Sequence, residues 1–481
     1  GKGYWRGNCP FCPDEHPSFT VYGDHFYCYE CRARGDVIDF IQMIERTDFW
    51  GAVEKLEEMS GVKLLGDVIK VEKKNDITPN VIADLLCALY HFKTFRDTEE
   101  VLVYRDGVYQ NGGESFIKSE VERIMKKEGL SRKCTMNFVN EVIGHIRRST
   151  YVERSEFNTH RDIVNCRNGL VNIKTLELTP HSPDLLSTIQ LPVDYNPEAK
   201  CPEIQKFLRE VVEEENVHVL EEFAGHCLYL GYLIHKAGLL VGETDSGKSI
   251  FIELLRRFLG MQNCTAKSLQ DLINNRFARA SLYGKLLNAF SELSYKKIDD
   301  SGIFKALTGG DRISAEKKYK DPFEFYNFAK LLFSANAIPP TSDWSDAFFN
   351  RWLIVQFPNR FTGKEKDPNL IEKLTRPEEL SGFLNIAIRG LRRLLEQGRF
   401  SSSESIEDTA RTYTLLSNPV ARFLEECCEF GPEFEVKKWD LYNAYVEFCK
   451  SNGILPYSQR RFTDMLKEYF TQKKYLSLIH I

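Results

Sequence analysis

A glycine-bounded loop that ends in a lysine and a serine carries the strongest chemical signal in the chain. Residues 242–249 have the sequence GETDSGKS, preceded by the apolar run Ala237–Val241 and followed by a helix-like segment. When a strand, a glycine loop and a helix follow one another, the backbone N–H groups of the loop and the N-terminus of the helix can enclose phosphates. The pattern predicts ATP binding, with Lys248 on the β- and γ-phosphates and Ser249 on Mg²⁺. The predicted nucleotide-binding residues are Gly242, Glu243, Thr244, Asp245, Ser246, Gly247, Lys248 and Ser249.

Further polar residues follow at positions that suit nucleotide hydrolysis. Glu292 comes after an apolar run, and its carboxylate would position or activate the attacking water. Ser291 precedes it where many such enzymes have an Asp, so a second anchor for the metal stays open. Asn336 ends the next apolar run and would orient the same water. Arg351 is the predicted arginine finger toward a neighbouring subunit, and Arg360 is the competing candidate.

Two pairs of cysteines near the start of the chain have the spacing of a zinc site. The pattern is C-x2-C, fifteen residues, then C-x2-C. Four thiolates fill a tetrahedron and leave no position for water, so the zinc would be structural. His16 and His25 are alternative ligands. The predicted ligands are Cys9, Cys12, Cys28 and Cys31.

A basic and aromatic segment lies between the Glu292 and Asn336 runs. Residues 307–325 have the sequence LTGGDRISAEKKYKDPFEF, in which the two glycines and the aspartate make a turn and the residues after them predict a β-hairpin. Its tip, Lys317, Lys318, Tyr319 and Lys320, could hold phosphates and stack on bases. The alternative is a solvated lysine turn.

The first 63 residues resemble the zinc-binding domain of bacterial-type DNA primases. The resemblance lies in CPFCPDEHPSFTVYGDHFYCYECRARGDVIDF, with Cys12 where that family usually has His. It implies contact with single-stranded template through exposed aromatics, Arg32 and Arg34. For Phe19, Phe26 and Tyr27, however, packing around a small sheet is the favoured interpretation.

The order of the parts in residues 242–351 resembles superfamily 3 helicases, the compact AAA+ type of small viruses and plasmids. Residues 160–475 resemble more narrowly the poxvirus- and phage/plasmid-type primase–helicases. The motifs are NGLVNIKTLELTPHSP, CPEIQKFL, GETDSGKS, FKALTGGDRISAEKKYKDPFEF, LLFSANAIPP and LYNAYVEFCKSNGILPYSQRRF. The resemblance implies a hexamer that grips DNA with Lys318 and Tyr319, supported by Lys305 and Lys320.

The last predicted segment is locally basic. Residues 437–474 carry eight basic and four acidic side chains, which together with the resemblance predicts a winged-helix-like DNA-binding module. Arg460 and Arg461 would begin its recognition helix, after Ser458 and Gln459. A helical protein–protein module is the alternative. The core aromatics would be Tyr442, Tyr445 and Phe448.

We therefore predict a multidomain α/β chain with a zinc ribbon, a mixed α/β helical region, an AAA+-like P-loop core and a winged-helix-like module. The expected segments are a zinc domain at 1–65, a linker at 66–80, an α/β helicase-associated domain at 81–200, the helicase domain at 201–400 and the final module at 415–475.

Composition excludes several classes of protein. The net charge of −5 excludes a globally basic nucleic-acid coat, and the apolar runs are too short for a membrane span. Thirteen cysteines, mostly scattered singly, favour a reducing compartment, so we expect a cytoplasmic protein of a prokaryotic host or a viral replication site. Because the chain starts with Gly and ends in LSLIHI, we expect both termini to be incomplete.

Together these features predict a replicative DNA helicase of a virus, phage or plasmid-like element that acts on single-stranded or forked DNA. The chain offers no convincing acidic constellation for primer synthesis, so a priming domain would lie upstream or in a primase or polymerase partner. The alternative is a non-translocating AAA+ ATPase that marks or loads an origin.

Overall fold

The computed structural model describes residues 5–472 except 14–15, 23–24, 48, 61–76, 128, 294–297, 299–300, 319–321, 336–340, 342, 344, 364–365, 402–407, 409–410, 414–417, 432–434 and 453. The chain divides into two compact units, Gly1–Arg154 and Ser155–Ile481. This division lies inside the predicted segment 81–200, and the predicted domain boundaries stay predictions. Most of the predicted linker 66–80 lies outside the described residues. In the part of the chain that is described, no helix has the length and apolar character to cross a membrane.

The first unit begins with a small antiparallel sheet, followed by two helices. The strands pair in the order β1-β2-β3-β4. Helix α1 begins after Asp36, whose carboxylate accepts the N–H groups of Ile38 and Asp39, while the Asp39 carboxylate accepts the N–H of Asp36. This reciprocal cap explains why the helix starts there. The elements are β1 (Trp5–Gly7), β2 (Phe19–Val21), β3 (Phe26–Cys28), β4 (Arg34–Gly35), α1 (Val37–Glu45) and α2 (Phe49–Ser60).

The rest of the first unit packs three helices with a four-stranded sheet, ordered β7-β6-β5-β8. The apolar pattern of the sequence alone predicts one helix over 81–95, but residues Phe92–Phe95 form a strand. The helical prediction is wrong there because Phe92 pairs with Val103, a contact that local periodicity cannot show. The elements are α3 (Pro79–Leu89), β5 (Phe92–Phe95), β6 (Val101–Arg105), β7 (Val108–Asn111), α4 (Gly113–Lys127), α5 (Met136–Ser149) and β8 (Tyr151–Val152).

The second unit opens with a three-stranded antiparallel sheet and two helices. Residues 168–180, NGLVNIKTLELTP, predict a hairpin with a turn at Lys174-Thr175. This turn is confirmed, since the Asn172 side chain accepts both of their N–H groups. The elements are β9 (Ile163–Cys166), β10 (Gly169–Asn172), β11 (Leu178–Thr179), α6 (Pro202–Val211) and α7 (Glu214–Leu228).

A five-stranded parallel sheet forms the centre of the second unit, ordered β13-β14-β17-β12-β18. All five residues of β12 and all six of β17 are buried, as expected for strands that are covered on both faces. The elements are β12 (Ala237–Val241), α8 (Lys248–Leu259), β13 (Cys264–Thr265), α9 (Leu269–Asn274), α10 (Arg276–Ala280), β14 (Leu287–Phe290), α11 (Ser301–Gly309), β15 (Arg312–Ala315), β16 (Phe323–Tyr326), β17 (Lys330–Ala335), α12 (Asp346–Phe349), β18 (Trp352–Gln356), α13 (Leu370–Leu374) and α14 (Pro377–Gln397).

Three helices end the described chain: α15 (Pro419–Cys427), α16 (Lys438–Ser451) and α17 (Gln459–Gln472). Tyr445 is fully buried, and Tyr442 and Phe448 pack against the same core, so their predicted core role is confirmed. Residues 418–475 predict three helices and then a short strand region, and that last region lies outside the described residues. The winged-helix architecture therefore stays a prediction.

Candidate functional site

The four predicted cysteines form one cluster in the first unit. Their Sγ atoms all lie within 4.8 Å of one another, with Cys9 to Cys31 at 3.7 Å and Cys12 to Cys28 at 3.9 Å. Zn–S bonds of about 2.3 Å in a tetrahedron require Sγ separations of about 3.8 Å, so the thiols fit zinc. Among the described residues this cluster contains neither His16 nor His25.

Hydrogen bonds prepare one of these thiols to act as a metal ligand. Burial works against ionisation of Cys28, but Ser18 Oγ and the backbone N–H of Cys31, at 3.2 and 3.4 Å from its Sγ, lower its pKa to about 6. A thiolate is the form that binds zinc. The ribbon (residues 5–60) therefore supports a structural zinc ion.

One row of side chains crosses the ribbon sheet. Arg6 is opposite Thr20, Thr20 is opposite Tyr27, and Tyr27 is opposite Arg34. Directly opposite residues share a face of a sheet, so Arg6, Tyr27 and Arg34 lie on one face. Phe19 and Phe26 are buried and stacked at 5.2 Å, which confirms their predicted packing role.

The glycine loop (residues 242–249) connects β12 to α8 in the second unit. Lys248 Nζ donates to the carbonyls of Gly242 and Glu243, at 2.7 and 2.6 Å, and to Ser246 Oγ at 3.0 Å. Burial lowers the pKa of Lys248, and the carboxylates of Asp245 and Glu243 oppose that shift. The lysine is thus held over the loop, where a phosphate group could bind.

Gly247 has a conformation that only glycine adopts readily. Its φ is +94°, and a Cβ atom there would lie 2.5 Å from Val211 Cγ1. Because α6 passes so close to the loop, a side chain at position 247 would displace the start of α8.

Glu292 faces the same cleft as the glycine loop. The strands of the sheet are parallel, so the ends of β12, β14 and β17 meet at one edge. The Leu293 N–H donates to the Ser334 carbonyl at 2.9 Å, and Ser334 Oγ donates to the Ser291 carbonyl at 2.5 Å, which holds the Glu292 segment against β17.

The cleft at this edge has a volume of about 1530 Å³. Thr244–Ile250, Ser291–Leu293 and Ala335 line one part of it, and Phe207, Val211, Asn359, Phe361, Lys366 and Lys373 line another. Asn336 follows Ala335 directly but lies outside the described residues. A cleft of this size, with a glycine loop, a carboxylate and a helix N-terminus, could hold and hydrolyse a nucleotide.

The two arginine-finger candidates lie beyond opposite ends of strand β18, with Arg351 before the strand and Arg360 after it. The Arg351 carbonyl accepts the N–H of Ala237, the first residue of β12, and β12 is five residues, or about 16 Å, long. Arg351 is therefore remote from its own glycine loop, and its buried Nε has no hydrogen-bond partner among the described residues. Arg360 instead lies 3.5 Å from Glu243 of the loop.

The predicted hairpin is confirmed in its strands. Strand β15 pairs with β16 in antiparallel register, from Arg312 opposite Tyr326 to Ala315 opposite Phe323. At the tip, Lys317 is half-buried and Lys318 is exposed, whereas Tyr319 and Lys320 lie outside the described residues.

Lys305 does not lie on the hairpin. It belongs to α11, and its Nζ is 2.9 Å from Asp343. The hydroxyl of Ser301 also donates to Asp343, and these partners hold the pKa of that carboxyl well below its usual range. Lys305 thus helps to fix α11, and its supporting role in DNA binding stays a prediction.

The predicted arginines of the last segment begin a helix, as expected. Helix α17 begins at Gln459, and the Phe462 N–H donates to the Ser458 carbonyl at 2.8 Å. Arg460 and Arg461 are exposed, and the Arg461 guanidinium lies 4.5 Å from the centre of the Tyr457 ring.

Sequence reasoning missed the cations that accompany the glycine loop. Lys366 Nζ lies 2.7 Å from the Asp245 carboxylate, and Lys206 and Lys373 also line the cleft. Lys366 and Lys373 lie outside every motif named above, and Lys206 lies within CPEIQKFL without having been singled out. The sequence did contain one signal for them, the two carboxylates of Glu243 and Asp245 inside the glycine loop. A phosphate site with two negative charges in its loop needs nearby cations to compensate them.

Four family models match parts of the chain. Residues 1–72 match "CHC2 zinc finger", 83–213 match "D5 N terminal like", 240–351 match "Family of unknown function (DUF5906)" and 416–477 match "Poxvirus D5 protein-like". These matches confirm the predicted resemblance to poxvirus-type primase–helicases with a primase-type zinc domain.

Individual relatives agree with this division. A "DNA primase" of Deinococcus radiodurans is 38% identical over 66 residues, which cover 13% of this chain and 12% of that protein. "Putative helicase V13" of Sputnik virophage is 24% identical over 254 residues, covering 48% of this chain and 32% of that protein. "Putative helicase 121R" of Invertebrate iridescent virus 3 is 22% identical over 272 residues, covering 52% and 27%. The chain thus spans about a third or less of the length of these relatives.

Among solved structures, the chain matches "The A form apo structure of NrS-1 C terminal region-CTR". It has a TM-score of 0.45 and 12% identity, over 70% of this chain and 75% of that one.

Proposed function

We propose that this chain is the helicase part of a viral, phage or plasmid primase–helicase, driven by ATP hydrolysis. One observation carries the proposal: the glycine loop and Glu292 line a single cleft at the ends of parallel strands. The matches to D5-type families and the similarity to proteins named as viral helicases support a role in DNA replication.

The cleft residues would divide the work of hydrolysis. Backbone N–H groups of residues 244–249 and the Lys248 ammonium would hold the phosphates, and Glu292 would accept a proton from the attacking water. Bound Mg²⁺, held through Ser249, would neutralise charge that develops on the phosphates. We assign Asn336 the role of orienting the water, on sequence grounds alone.

A ring of subunits would complete the site. Arg351 is remote from the cleft of its own chain, which favours a role at a neighbouring subunit's nucleotide. The hexameric stoichiometry rests on family analogy. The hairpin tip, from Lys317 to Lys320, would then contact DNA phosphates and bases.

The ribbon would contact single-stranded template. Arg6, Tyr27 and Arg34 share one sheet face, a combination of cations and an aromatic ring that suits single-stranded nucleic acid. We assign no primer-synthesis step to the described residues, and a priming domain or partner would supply it.

Unwinding of a forked DNA duplex with ATP tests the proposal, with Lys248→Ala and Lys318→Ala beside the parent. We expect the parent to unwind, Lys248→Ala to lose both ATP hydrolysis and unwinding, and Lys318→Ala to lose unwinding while it keeps much of its ATP hydrolysis. Lys174→Ala serves as the control, because Lys174 pairs with Asp162 on an exposed turn outside the cleft.

The same experiment identifies the alternative. A parent that hydrolyses ATP and binds DNA but never unwinds it would exclude a helicase and favour an origin-marking or loading ATPase. A parent that neither binds nor hydrolyses ATP would contradict both functions.

A further inference from the structure

The glycine loop carries two carboxylates where a polyphosphate would bind. Glu243 and Asp245 lie between the two glycines, and both are exposed. A nucleotide phosphate chain is strongly anionic, so uncompensated carboxylates in this loop would repel it. The loop therefore needs nearby cations besides Lys248.

The segment that follows β18 supplies such a cation. Lys366 Nζ lies 2.7 Å from Asp245 Oδ2, and the two side chains are 49% and 39% exposed. Both residues line the cleft beside Ser246–Ser249. The pair thus stands where phosphates would enter, with direct access to solvent ions.

Two further hydrogen bonds hold the start of this segment independently of the ion pair, one to the glycine loop and one to α6. The Phe361 N–H donates to the Asp245 carbonyl at 3.0 Å, and Asn359 Nδ2 donates to the Glu210 carbonyl at 2.8 Å. Asp245 also has a φ of +67°, in the left-handed region, so its backbone conformation is a defined turn. The approach of Lys366 to Asp245 is therefore a feature of the folded cleft.

We infer that Lys366 is a positioning residue of the nucleotide site, which neutralises Asp245 so that the glycine loop accepts a polyphosphate. This inference rests on the proposed nucleotide-binding function and adds to it a specific cation of the same chain. Arg360 plays a weaker version of this role toward Glu243, since their 3.5 Å contact is more exposed. Arg360 thereby becomes a residue of its own chain's site, distinct from a finger toward a neighbour.

A double-mutant cycle on the full chain tests the inference. Binding of ADP with Mg²⁺ is measured by calorimetry for the parent, Lys366→Ala, Asp245→Asn and the double variant. We expect Lys366→Ala to weaken binding about threefold to fivefold, as suits a partly exposed ion pair. We expect Asp245→Asn to bind at least as tightly as the parent, and the double variant to return to the parent affinity.

Controls separate this effect from folding and from general charge. Lys174→Ala removes an exposed lysine that pairs with Asp162 at 2.6 Å outside the cleft, and should leave ADP affinity unchanged. The loss in Lys366→Ala should shrink at high salt, because salt screens exposed charges. Thermal melting without ADP should be alike for all variants.

Two results would overturn the inference while the proposed function stands: ADP binding to Lys366→Ala as tight as to the parent, or a double variant as weak as Lys366→Ala alone. A parent that binds no ADP would instead refute the proposed function, and the inference with it.

Discussion

The ribbon and the cleft solve the problem of building a site in opposite ways. All four zinc ligands lie within 23 residues, between Cys9 and Cys31, and two of them are buried. The cleft combines α6, the glycine loop, the Glu292 segment and the segment after β18, from distant parts of the chain. Of its chemical groups, Glu292 and Ser249 are exposed, whereas Lys248 is buried.

The difference follows from what stabilises each region. The ribbon has a small apolar core of Cys9, Phe19, Phe26 and Cys28, so metal binding must supply much of its folding free energy. The cleft belongs to a unit with large apolar clusters around a parallel sheet. Replacing its exposed chemical residues should therefore leave the fold intact.

Removing a zinc ligand should have the largest effect. We expect Cys28→Ser to lose the bound zinc and unfold the ribbon, because structural zinc contributes about 10–16 kcal/mol in small domains. Zinc content and near-ultraviolet circular dichroism measure this. Cys427→Ser, an exposed cysteine outside the cluster, is the matched control. Full zinc content in Cys28→Ser would show that the four-thiolate site is wrong.

Glu292→Gln should abolish chemistry without unfolding anything. We expect ATP hydrolysis to fall about 10²- to 10⁴-fold, the range for loss of a general base, while ADP binding and the melting temperature stay unchanged. Single-turnover hydrolysis measures the first and calorimetry the second. Glu177→Gln is the control, because Glu177 is an exposed carboxylate outside the cleft. A loss of nucleotide binding equal to the loss of rate would argue against the assigned role.

A buried histidine should decide how acid affects the second unit. His226 is fully buried, and burial, followed by the charge of Lys330, lowers its pKa well below the usual value. The unfolded chain therefore binds a proton that the folded chain does not, so stability falls as the pH drops below about 6.5. By pH 5 the loss should reach about 2 kcal/mol, and His226→Phe should be spared it.

Urea unfolding of the full chain at pH 7 and pH 5 measures this difference. Each protein is compared with itself at pH 7, so any packing change caused by the phenylalanine cancels. Tyr232 and Phe400 lie next to the ring, with centroids 5.8 and 5.7 Å away, which makes an aromatic replacement suitable. Equal acid sensitivity of the parent and the variant would refute the prediction.

The smallest expected effect concerns the last helix. If Arg460 and Arg461 hold DNA phosphates, their joint replacement by Ala should weaken DNA binding severalfold and reduce the salt slope by about two. Arg422→Ala is the control, since Arg422 already pairs with Glu426 in the same module. Filter binding over a salt series measures both quantities. An unchanged slope would favour a protein–protein module.

Several features could be predicted from the sequence because they depend on short-range patterns. Each cysteine pair, the glycine loop and the helix start at Gln459 lie within a few residues, where turn geometry and capping are local. The hairpin strands were also predictable, because apolar and polar residues alternate in each strand and the two glycines precede the first one. The hairpin tip and Asn336 stay predictions, because they lie outside the described residues.

Other features depend on long-range contacts. The strand Phe92–Phe95 forms because Phe92 meets Val103 across the sheet, although its own sequence continues a helical pattern. The pairing of Lys366 with Asp245 joins residues 121 positions apart, and no local rule connects them. Arg351 and Arg360 are close in sequence, yet strand β18 lies between them, so they lie toward opposite ends of the parallel strands.

The sequence by itself thus determined which chemical groups the protein has: four thiols at zinc spacing, a phosphate-type loop and a carboxylate after a buried strand. The tertiary structure alone decided which of these groups meet. Parallel pairing of β12, β14 and β17 brings Glu292 to the glycine loop, and the return of the chain after β18 brings Lys366 to Asp245. The physical reason is that ligand spacing and capping act over single turns, whereas strand order is set by burial of apolar surface across the whole unit.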